Sequence, residues 1–193
     1  MEAFYTIQGE GYHTGKPAYF IRLGGCDVGC HWCDTKDSWD ADGFPLADVN
    51  SIVKDAAGHP AKRVVVTGGE PVMYNLNYLT GRLLQKGIKT HIETSGAYPL
   101  TGKWHWICLS PKKTMPPVGD IHSKADELKI IIYNQDDFKW AEEHAEKVDE
   151  NCKLYLQPEW GRAEEAIPWI IEYVKCNSKW NISLQIHKYL NIP

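Results

Sequence analysis

The chain lacks long hydrophobic runs, basic clusters and a secretory leader. Apolar runs such as 64–66 and 130–133 are far too short to span a bilayer. The 193 residues carry 21 Lys or Arg and 25 Asp or Glu, and the formal net charge of −4 includes no basic run, which argues against nucleic acid as a main partner. The N-terminal residues 1–5 have neither the positive nor the apolar region of a signal peptide. We therefore predict a cytoplasmic protein with no membrane segment.

Short β-branched or aromatic segments alternate with helical patterns along the chain. Strands are predicted at 18–23, 63–67, 89–93, 105–109, 128–133, 153–157 and 181–186, and helices near 48–57, 76–84, 138–148 and 167–174. The second helix is predicted to end at a Lys86-Gly87 cap. The link between 93 and 105 is too short and too rich in Gly and Pro for a helix. The alternation favours parallel strands, but the chain is too short for a complete eightfold barrel. We predict one α/β domain over 1–193, a partial, open (β/α) TIM-like barrel with a reduced number of helices.

The six cysteines are unevenly spaced, and half of them lie within eight consecutive residues. Cys108, Cys152 and Cys176 are scattered, as free thiols are in a reducing compartment, whereas Cys26, Cys30 and Cys33 form a C-x3-C-x2-C run. Three thiolates hold three corners of a four-iron, four-sulfur cube and leave one iron open for a small molecule.

Two other interpretations of this run remain open. One is a zinc site with His31 or Cys108 as the fourth ligand, although no second pair of ligands at zinc spacing is present. The other is three structural thiols, although such crowding is unusual for inert cysteines. The spacing favours the iron–sulfur cluster.

Glycine and polar residues follow four of the predicted strands. The segments are Gly68-Gly69-Glu70-Pro71, Thr94-Ser95-Gly96, Ser110-Pro111-Lys112-Lys113 and Gln157-Pro158-Glu159-Trp160. Any one of them could be only a turn. Because ligands collect at the carboxyl ends of parallel strands, four such segments predict a binding site at that end of the sheet.

The cysteine run and the Gly68-Gly69-Glu70 segment resemble the cluster loop and the "GGE" motif of the radical S-adenosylmethionine (SAM) superfamily. The resemblance implies a [4Fe–4S] cluster on the three cysteines, whose open iron binds the methionine end of SAM, with Glu70 accepting from the SAM ammonium. It implies no catalytic side chain beyond the cluster and SAM. The implied SAM-binding residues are Trp32, Cys33, Asp34, Gly68, Gly69, Glu70, Gly96, Ser110, Pro111, Lys112, Gln157, Pro158, Glu159 and Trp160.

Four further segments resemble one small family within it, the 7-carboxy-7-deazaguanine synthases. They are residues 4–11, 20–23, 33–35 and 184–190. The resemblance implies conversion of 6-carboxy-5,6,7,8-tetrahydropterin to 7-carboxy-7-deazaguanine with loss of ammonia, on the route to queuosine and other 7-deazapurines. A 5′-deoxyadenosyl radical would take hydrogen from C6 before the ring contracts. The implied substrate-binding residues are Ile7, Gln8, Gly9, Glu10, Arg22, Thr94, His187 and Pro193, and Thr35 would contact Mg²⁺.

Some of these residues have plainer alternatives. Trp32 could serve packing, Arg22 an ion pair, and Thr35 the cap of a turn. The family also implies an external one-electron donor of the flavodoxin or ferredoxin type, and a homodimer.

Rival functions are a glycyl-radical activating enzyme of the same superfamily, a non-catalytic zinc or iron–sulfur binding module, and an electron carrier. The first would share the cysteine run and Gly68-Gly69-Glu70, but it would not need residues 8–11 or 184–190.

Overall fold

Eight strands lie side by side in chain order in a computed structural model that describes all 193 residues. The first two strands are antiparallel, and every later neighbour is parallel. The first and last strands are the free edges of the sheet, so the predicted open barrel is confirmed. The strands are β1 (Glu2–Ile7), β2 (Pro17–Leu23), β3 (Arg63–Gly68), β4 (Lys89–Thr94), β5 (Trp106–Leu109), β6 (Glu127–Ile132), β7 (Lys153–Pro158) and β8 (Trp180–Ile182).

Helices connect most of the parallel strands, and their number is reduced as predicted. They are α1 (Val49–Gly58), α2 (Asn77–Gln85), α3 (Ile121–Lys124), α4 (Asp137–Ala145), α5 (Ala163–Cys176) and α6 (Ile186–Leu190). No helix lies between β4 and β5, and the β5–β6 crossover holds only the four residues of α3. None of these helices has the length and apolar character needed to cross a bilayer.

Local sequence explains where these helices begin and end. Asp48 caps α1, because its carboxylate accepts the Ser51 N–H at 2.8 Å. After α2, Gly87 has φ of 69°, which glycine adopts without a steric penalty. The predicted boundary at Lys86-Gly87 is therefore confirmed.

Two apolar clusters hold the helices against the sheet. One joins Val64 and Ile92 of the sheet to Leu83 of α2, and all three are fully buried. The other joins strand residues such as Leu128 to Ile170 of α5, which are buried to the same extent. Each such side chain contributes roughly 1.5–3 kcal/mol through burial. This packing fixes the carboxyl ends of the strands as one rigid rim.

Two strands differ from the prediction, and the short helices α3 and α6 were not predicted. β1 was not predicted, because an edge strand with several exposed residues lacks a continuous apolar run. Its pairing with β2 places Phe4 opposite Phe20, with stacked rings 5.6 Å apart. The predicted strand 181–186 was too long. The strand ends at Ile182, because the Ser183 hydroxyl donates to Gln157 Oε1 at 2.7 Å and the chain turns toward the rim.

Candidate active site

A cavity of about 260 Å³ opens at the carboxyl ends of the strands. It lies where the sequence placed the binding site. The structure brings together on its lining nearly all of the predicted site residues, which are Ile7, Gln8, Gly9, Glu10, Arg22, Cys26, Cys30, Trp32, Cys33, Asp34, Thr35, Gly68, Gly69, Glu70, Thr94, Ser110, Lys112, Gln157, Pro158, Glu159, Trp160, His187 and Pro193.

Gly96 and Pro111 are the two predicted site residues that do not line this cavity. The Gly96 N–H donates to Thr94 Oγ1 at 2.9 Å, and its carbonyl accepts from Val118 at 2.9 Å. Both backbone groups of Gly96 are therefore used inside the protein. Pro111 lines a smaller neighbouring cavity of about 110 Å³, together with Cys30 and Trp32.

The three clustered cysteines fit an iron–sulfur cluster better than a zinc ion. Cys26, Cys30 and Cys33 are half-buried free thiols on one loop that faces the cavity. No three Cys, His, Asp or Glu side chains converge on a point that one ion would occupy, whereas a tetrahedral zinc site requires that convergence. In a cube each sulfur binds a different iron, so the three thiols need not converge.

One cation, the Lys112 ammonium, lies close enough to the thiols to act on the pKa of Cys30. Burial raises the pKa of Cys30, and the nearby Lys112 ammonium opposes that rise. Burial in turn lowers the pKa of Lys112, whose ammonium donates to the Ser110 carbonyl at 2.6 Å and lies 5.7 Å from the centre of the Trp32 ring. The Lys112 ammonium therefore offsets part of the negative charge of a thiolate at Cys30.

Glycine lets the backbone after β3 approach the cysteine loop. Gly68 has φ of 143°, and a Cβ there would lie 2.9 Å from the Leu23 carbonyl carbon. A Cβ on Gly69 would lie 2.8 Å from Cys26 Cβ. A side chain at position 69 would therefore clash with the cysteine loop beside Cys26.

Glu70 is a buried carboxylate whose partners are all neutral. It is 2% exposed. It accepts from the Ser95 N–H at 2.8 Å, from the Val72 N–H at 3.2 Å and from the Thr94 hydroxyl at 2.5 Å, and also from the Ser95 hydroxyl. A carboxylate held by neutral donors keeps its full charge for an incoming cation. The hydroxyl of Thr94, a predicted substrate-binding residue, is therefore hydrogen-bonded to Glu70.

Another part of the cavity lining holds a chain of paired polar groups. Gln8 Nε2 donates to Glu93 Oε1 at 2.7 Å, and the other Glu93 oxygen accepts from Lys129 Nζ at 3.3 Å. Lys129 Nζ also donates to Glu10. Burial alone would raise the pKa of Glu10, but Lys129 and Gln185 outweigh burial and hold it below its ordinary value.

The C-terminal segment closes this side of the cavity. Gln185 Nε2 donates to Glu10 Oε1 at 2.9 Å and to Asp34 Oδ2 at 2.8 Å. The Ile186 N–H donates to the Gly9 carbonyl at 2.9 Å. A Cβ on Gly9 would lie 2.7 Å from His187 Cβ, so glycine is needed where these segments meet. The Gln185 amide therefore ties Asp34, next to the last cysteine, to Glu10 of the N-terminal loop.

Arg22 and Thr35 both line the cavity. Arg22 makes the ion pair that its alternative describes, whereas the Thr35 side chain makes no capping hydrogen bond. The Arg22 guanidinium donates to Glu2 Oε2 at 2.9 Å, and its side chain is 30% exposed. The Thr35 N–H donates to Cys33 Sγ at 3.4 Å. The ion pair of Arg22 is therefore present before any ligand enters, and the Thr35 hydroxyl is the oxygen that this turn offers to the cavity.

Sequence reasoning missed four polar residues of the cavity lining that hydrogen-bond to predicted site residues. Ser95, Glu93, Lys129 and Gln185 received no role, although each contacts a predicted site residue. Lys129 carried a usable signal, because a lysine in the middle of an apolar strand requires a buried partner. The partners of Gln185 come from distant parts of the chain, so no local pattern could indicate them.

Comparisons with known proteins agree with this architecture. The family model described as "Radical SAM superfamily" matches residues 20–107. The chain is 58% identical to a 7-carboxy-7-deazaguanine synthase of Flavobacterium psychrophilum, over all of this chain and 91% of that protein. It is 47% identical to a protein of the same name from Synechocystis, covering 99% of this chain and 91% of that one. A crystal structure of QueE from Escherichia coli superposes with a TM-score of 0.81 at 32% identity, covering 95% of this chain and 92% of that chain.

Proposed function

The chain belongs to the 7-carboxy-7-deazaguanine synthase family of radical SAM enzymes, and from this premise we propose that it converts 6-carboxy-5,6,7,8-tetrahydropterin to 7-carboxy-7-deazaguanine with release of ammonia. One observation carries the proposal. Three free thiols, a buried carboxylate without a cation and a polar hydrogen-bonding wall face the same cavity.

Cys26, Cys30 and Cys33 would hold the [4Fe–4S] cluster, and Lys112 would offset part of its negative charge. When bound, the cluster and SAM supply the one-electron chemistry that removes a hydrogen atom from the substrate. The protein binds and orients the reactants. Glu70 would accept from the SAM ammonium in a charge-assisted hydrogen bond, and Gly69 lets the backbone beside Glu70 pack closely against the cysteine loop.

Trp32, Gln157 and the Glu159-Trp160 segment would flank the remainder of SAM. The Gln157 carbonyl oxygen accepts from Ser183, which leaves its amide N–H groups as the free donors on that side chain. Trp160 is packed against the C-terminal segment, with Lys188 Nζ 4.5 Å from the centre of its ring. These contacts orient both side chains before SAM enters.

Gln8, Glu10 and the backbone of Ile7 and Gly9 would pair with the pterin edge. A pocket built to pair such groups rejects analogues that lack them. Arg22 would exchange its Glu2 partner for the substrate carboxylate, which it can bind with two parallel hydrogen bonds. His187 and Pro193 would close the cavity at its C-terminal side.

Magnesium has one protein oxygen available, the Thr35 hydroxyl. Mg²⁺ prefers six oxygen ligands and keeps several waters, so the substrate carboxylate and water would complete its shell. Asp34 is already used, since its carboxylate accepts from Gln185 and from Lys188 at 2.6 Å.

The partners follow from the same proposal. The reaction requires an external one-electron donor of the flavodoxin or ferredoxin type, and we infer a homodimer from the family resemblance. All six cysteines are free, which suits the reducing conditions of the cytoplasm and supports that location.

An anaerobic assay tests the proposed function. Reconstituted protein is supplied with SAM, dithionite, Mg²⁺ and 6-carboxytetrahydropterin, and the products are read by mass spectrometry. We expect 7-carboxy-7-deazaguanine from the wild type and none from Cys30→Ala, which also loses its brown colour. Cys176→Ala, which removes an exposed thiol of α5, is the matched control and keeps both. SAM cleavage without conversion of the pterin would overturn the substrate assignment.

A further inference from the structure

Lys129 is a buried cation between two carboxylates of the cavity, and the mechanism above gives it no role. It lies in the middle of β6, and its side chain is 5% exposed. Its ammonium donates to Glu10 of the N-terminal loop and, at 3.3 Å, to Glu93 of β4. Three segments that are remote in sequence therefore meet at one ammonium group.

The ion pair between Lys129 and Glu10 keeps both groups charged. Burial would lower the pKa of Lys129, but the two glutamates outweigh burial and keep its pKa well above the ordinary value. The ammonium in turn keeps Glu10 ionised. Without it, burial would favour the neutral acid.

The hydrogen bonds of Glu93 and Gln8 make this wall of the cavity a surface of hydrogen-bond acceptors. Both Glu93 oxygens accept hydrogen bonds, one from Lys129 and one from Gln8. Gln8 therefore turns its NH2 group toward Glu93 and its carbonyl toward the Glu10 N–H, which lies 3.2 Å away. Carboxylate and carbonyl oxygens therefore line the wall. Such a wall is complementary to the aminopyrimidine edge of a pterin, whose amino and ring N–H groups are donors.

We propose that Lys129 is a positioning residue for the substrate: by binding both Glu10 and Glu93, it fixes the acceptor polarity with which Gln8 and Glu10 select the aminopyrimidine edge. The proposal rests on the proposed function, because it takes the pterin as the ligand.

Other ionisable groups face this cluster and belong in the account. Glu127 of β6 lies near Lys129, and burial raises its pKa. Cys108 of β5 also lies near Lys129, and burial raises its pKa. His187 of α6 faces Glu10, and burial lowers its pKa. None of them replaces the cation, because Glu127 and Cys108 are acids and burial favours neutral His187.

The test compares wild type and Lys129→Met in cluster-loaded, SAM-bound protein. The dissociation constant of 6-carboxytetrahydropterin is measured at pH 6, 7 and 8.5, and the ratio of variant to wild type is taken at each pH so that the substrate's own titration cancels. We expect a loss of affinity of about tenfold or more at pH 6 that shrinks as the pH rises, because higher pH ionises the unpaired Glu10 carboxyl again.

A second readout is discrimination. The wild type should bind the pterin in preference to the analogue whose 2-amino group is replaced by oxygen, and Lys129→Met should lose most of that preference at pH 6. Lys179→Met removes a cation paired with Glu142 outside the cavity at 2.5 Å, and it should leave the affinity and its pH dependence unchanged.

The alternatives give different results. Equal weakening at every pH with unchanged discrimination would show a merely structural lysine and overturn the proposal. If Lys129→Met does not fold, the double variant Lys129→Met/Glu93→Gln, with less unpaired charge, should show the same pH dependence through Glu10. A wild type that neither binds nor converts the pterin would instead overturn the proposed function, and the role of Lys129 with it.

Discussion

The cavity has two acidic sides that treat charge differently. On the Glu70 side, formed by Gly68–Glu70 and Thr94–Ser95, one carboxylate is held by neutral donors alone. On the Lys129 side, formed by Gln8, Glu10, Glu93 and Lys129, two carboxylates share a buried ammonium. The first arrangement leaves a charge for a cationic ligand, whereas the second uses charge to fix hydrogen-bond direction. Burial of a carboxylate therefore does not by itself indicate its function; its partners do.

The largest expected effect is on stability, and it comes from the Lys129 side. Lys129→Met leaves Glu10 and Glu93 buried without a cation, so we expect the free energy of unfolding to fall by about 3–5 kcal/mol. Urea denaturation at pH 7.5 measures it. Adding Glu10→Gln and Glu93→Gln should restore much of the loss. A change below about 1 kcal/mol would show that water reaches these carboxylates.

Removing the charge on the Glu70 side should affect the ligand more than the fold. Glu70→Gln replaces a charge-assisted contact with a neutral one, which is worth about 1.5–3 kcal/mol. We expect SAM to bind roughly 10- to 100-fold more weakly, while pterin binding changes little. Equilibrium binding of each ligand tests the separation, and Glu10→Gln is the matched substitution on the other side. Equal effects on both ligands would contradict the division of the cavity.

Two histidines, buried His91 and half-buried His13, sharpen the comparison, because burial favours their neutral forms. Burial lowers the pKa of His91 to about 3 and that of His13 to about 4. Unfolding raises the pKa of both histidines toward 6.5. Below about pH 6.5 the unfolded chain therefore binds more protons than the folded protein, and stability is lost as the pH falls. We expect a loss of about 1 kcal/mol per pH unit for each neutral histidine between pH 6 and 5.

Chemical denaturation at several pH values measures this slope. His91→Gln should flatten it, while the binding of SAM and pterin at pH 7.5 is retained. An unchanged slope in that variant would place the acid sensitivity elsewhere.

The smallest effect should come from Glu2 at the edge of the substrate side. Its ion pair with Arg22 is partly exposed, with 30% of Arg22 and 50% of Glu2 accessible, so Glu2→Gln should change stability by less than about 1 kcal/mol. Because Glu2 competes for the guanidinium, the KM for the pterin should stay equal or fall slightly. A rise in KM would mean that Glu2 orients Arg22 rather than competing for it.

Much of the fold and of the site could be predicted from local sequence. Continuous apolar segments located seven strands, and Lys86-Gly87 located the end of α2. The spacing of Cys26, Cys30 and Cys33 and the Gly68-Gly69-Glu70 segment located two sides of the cavity. These features depend on neighbours in the chain, so they are legible without the fold.

What the sequence alone determined was the kind of chemistry, because three thiolates and a glycine-linked carboxylate carry their meaning in a few consecutive residues. Tertiary structure alone decided which groups are paired. Lys129 lies 119 residues from Glu10, and Gln185 lies 151 residues from Asp34. The role of Gly96 also depended on the fold, because Val118 and Thr94 occupy its backbone groups. Burial and ion pairing arise only when distant segments meet, and they set the charge state on which recognition depends.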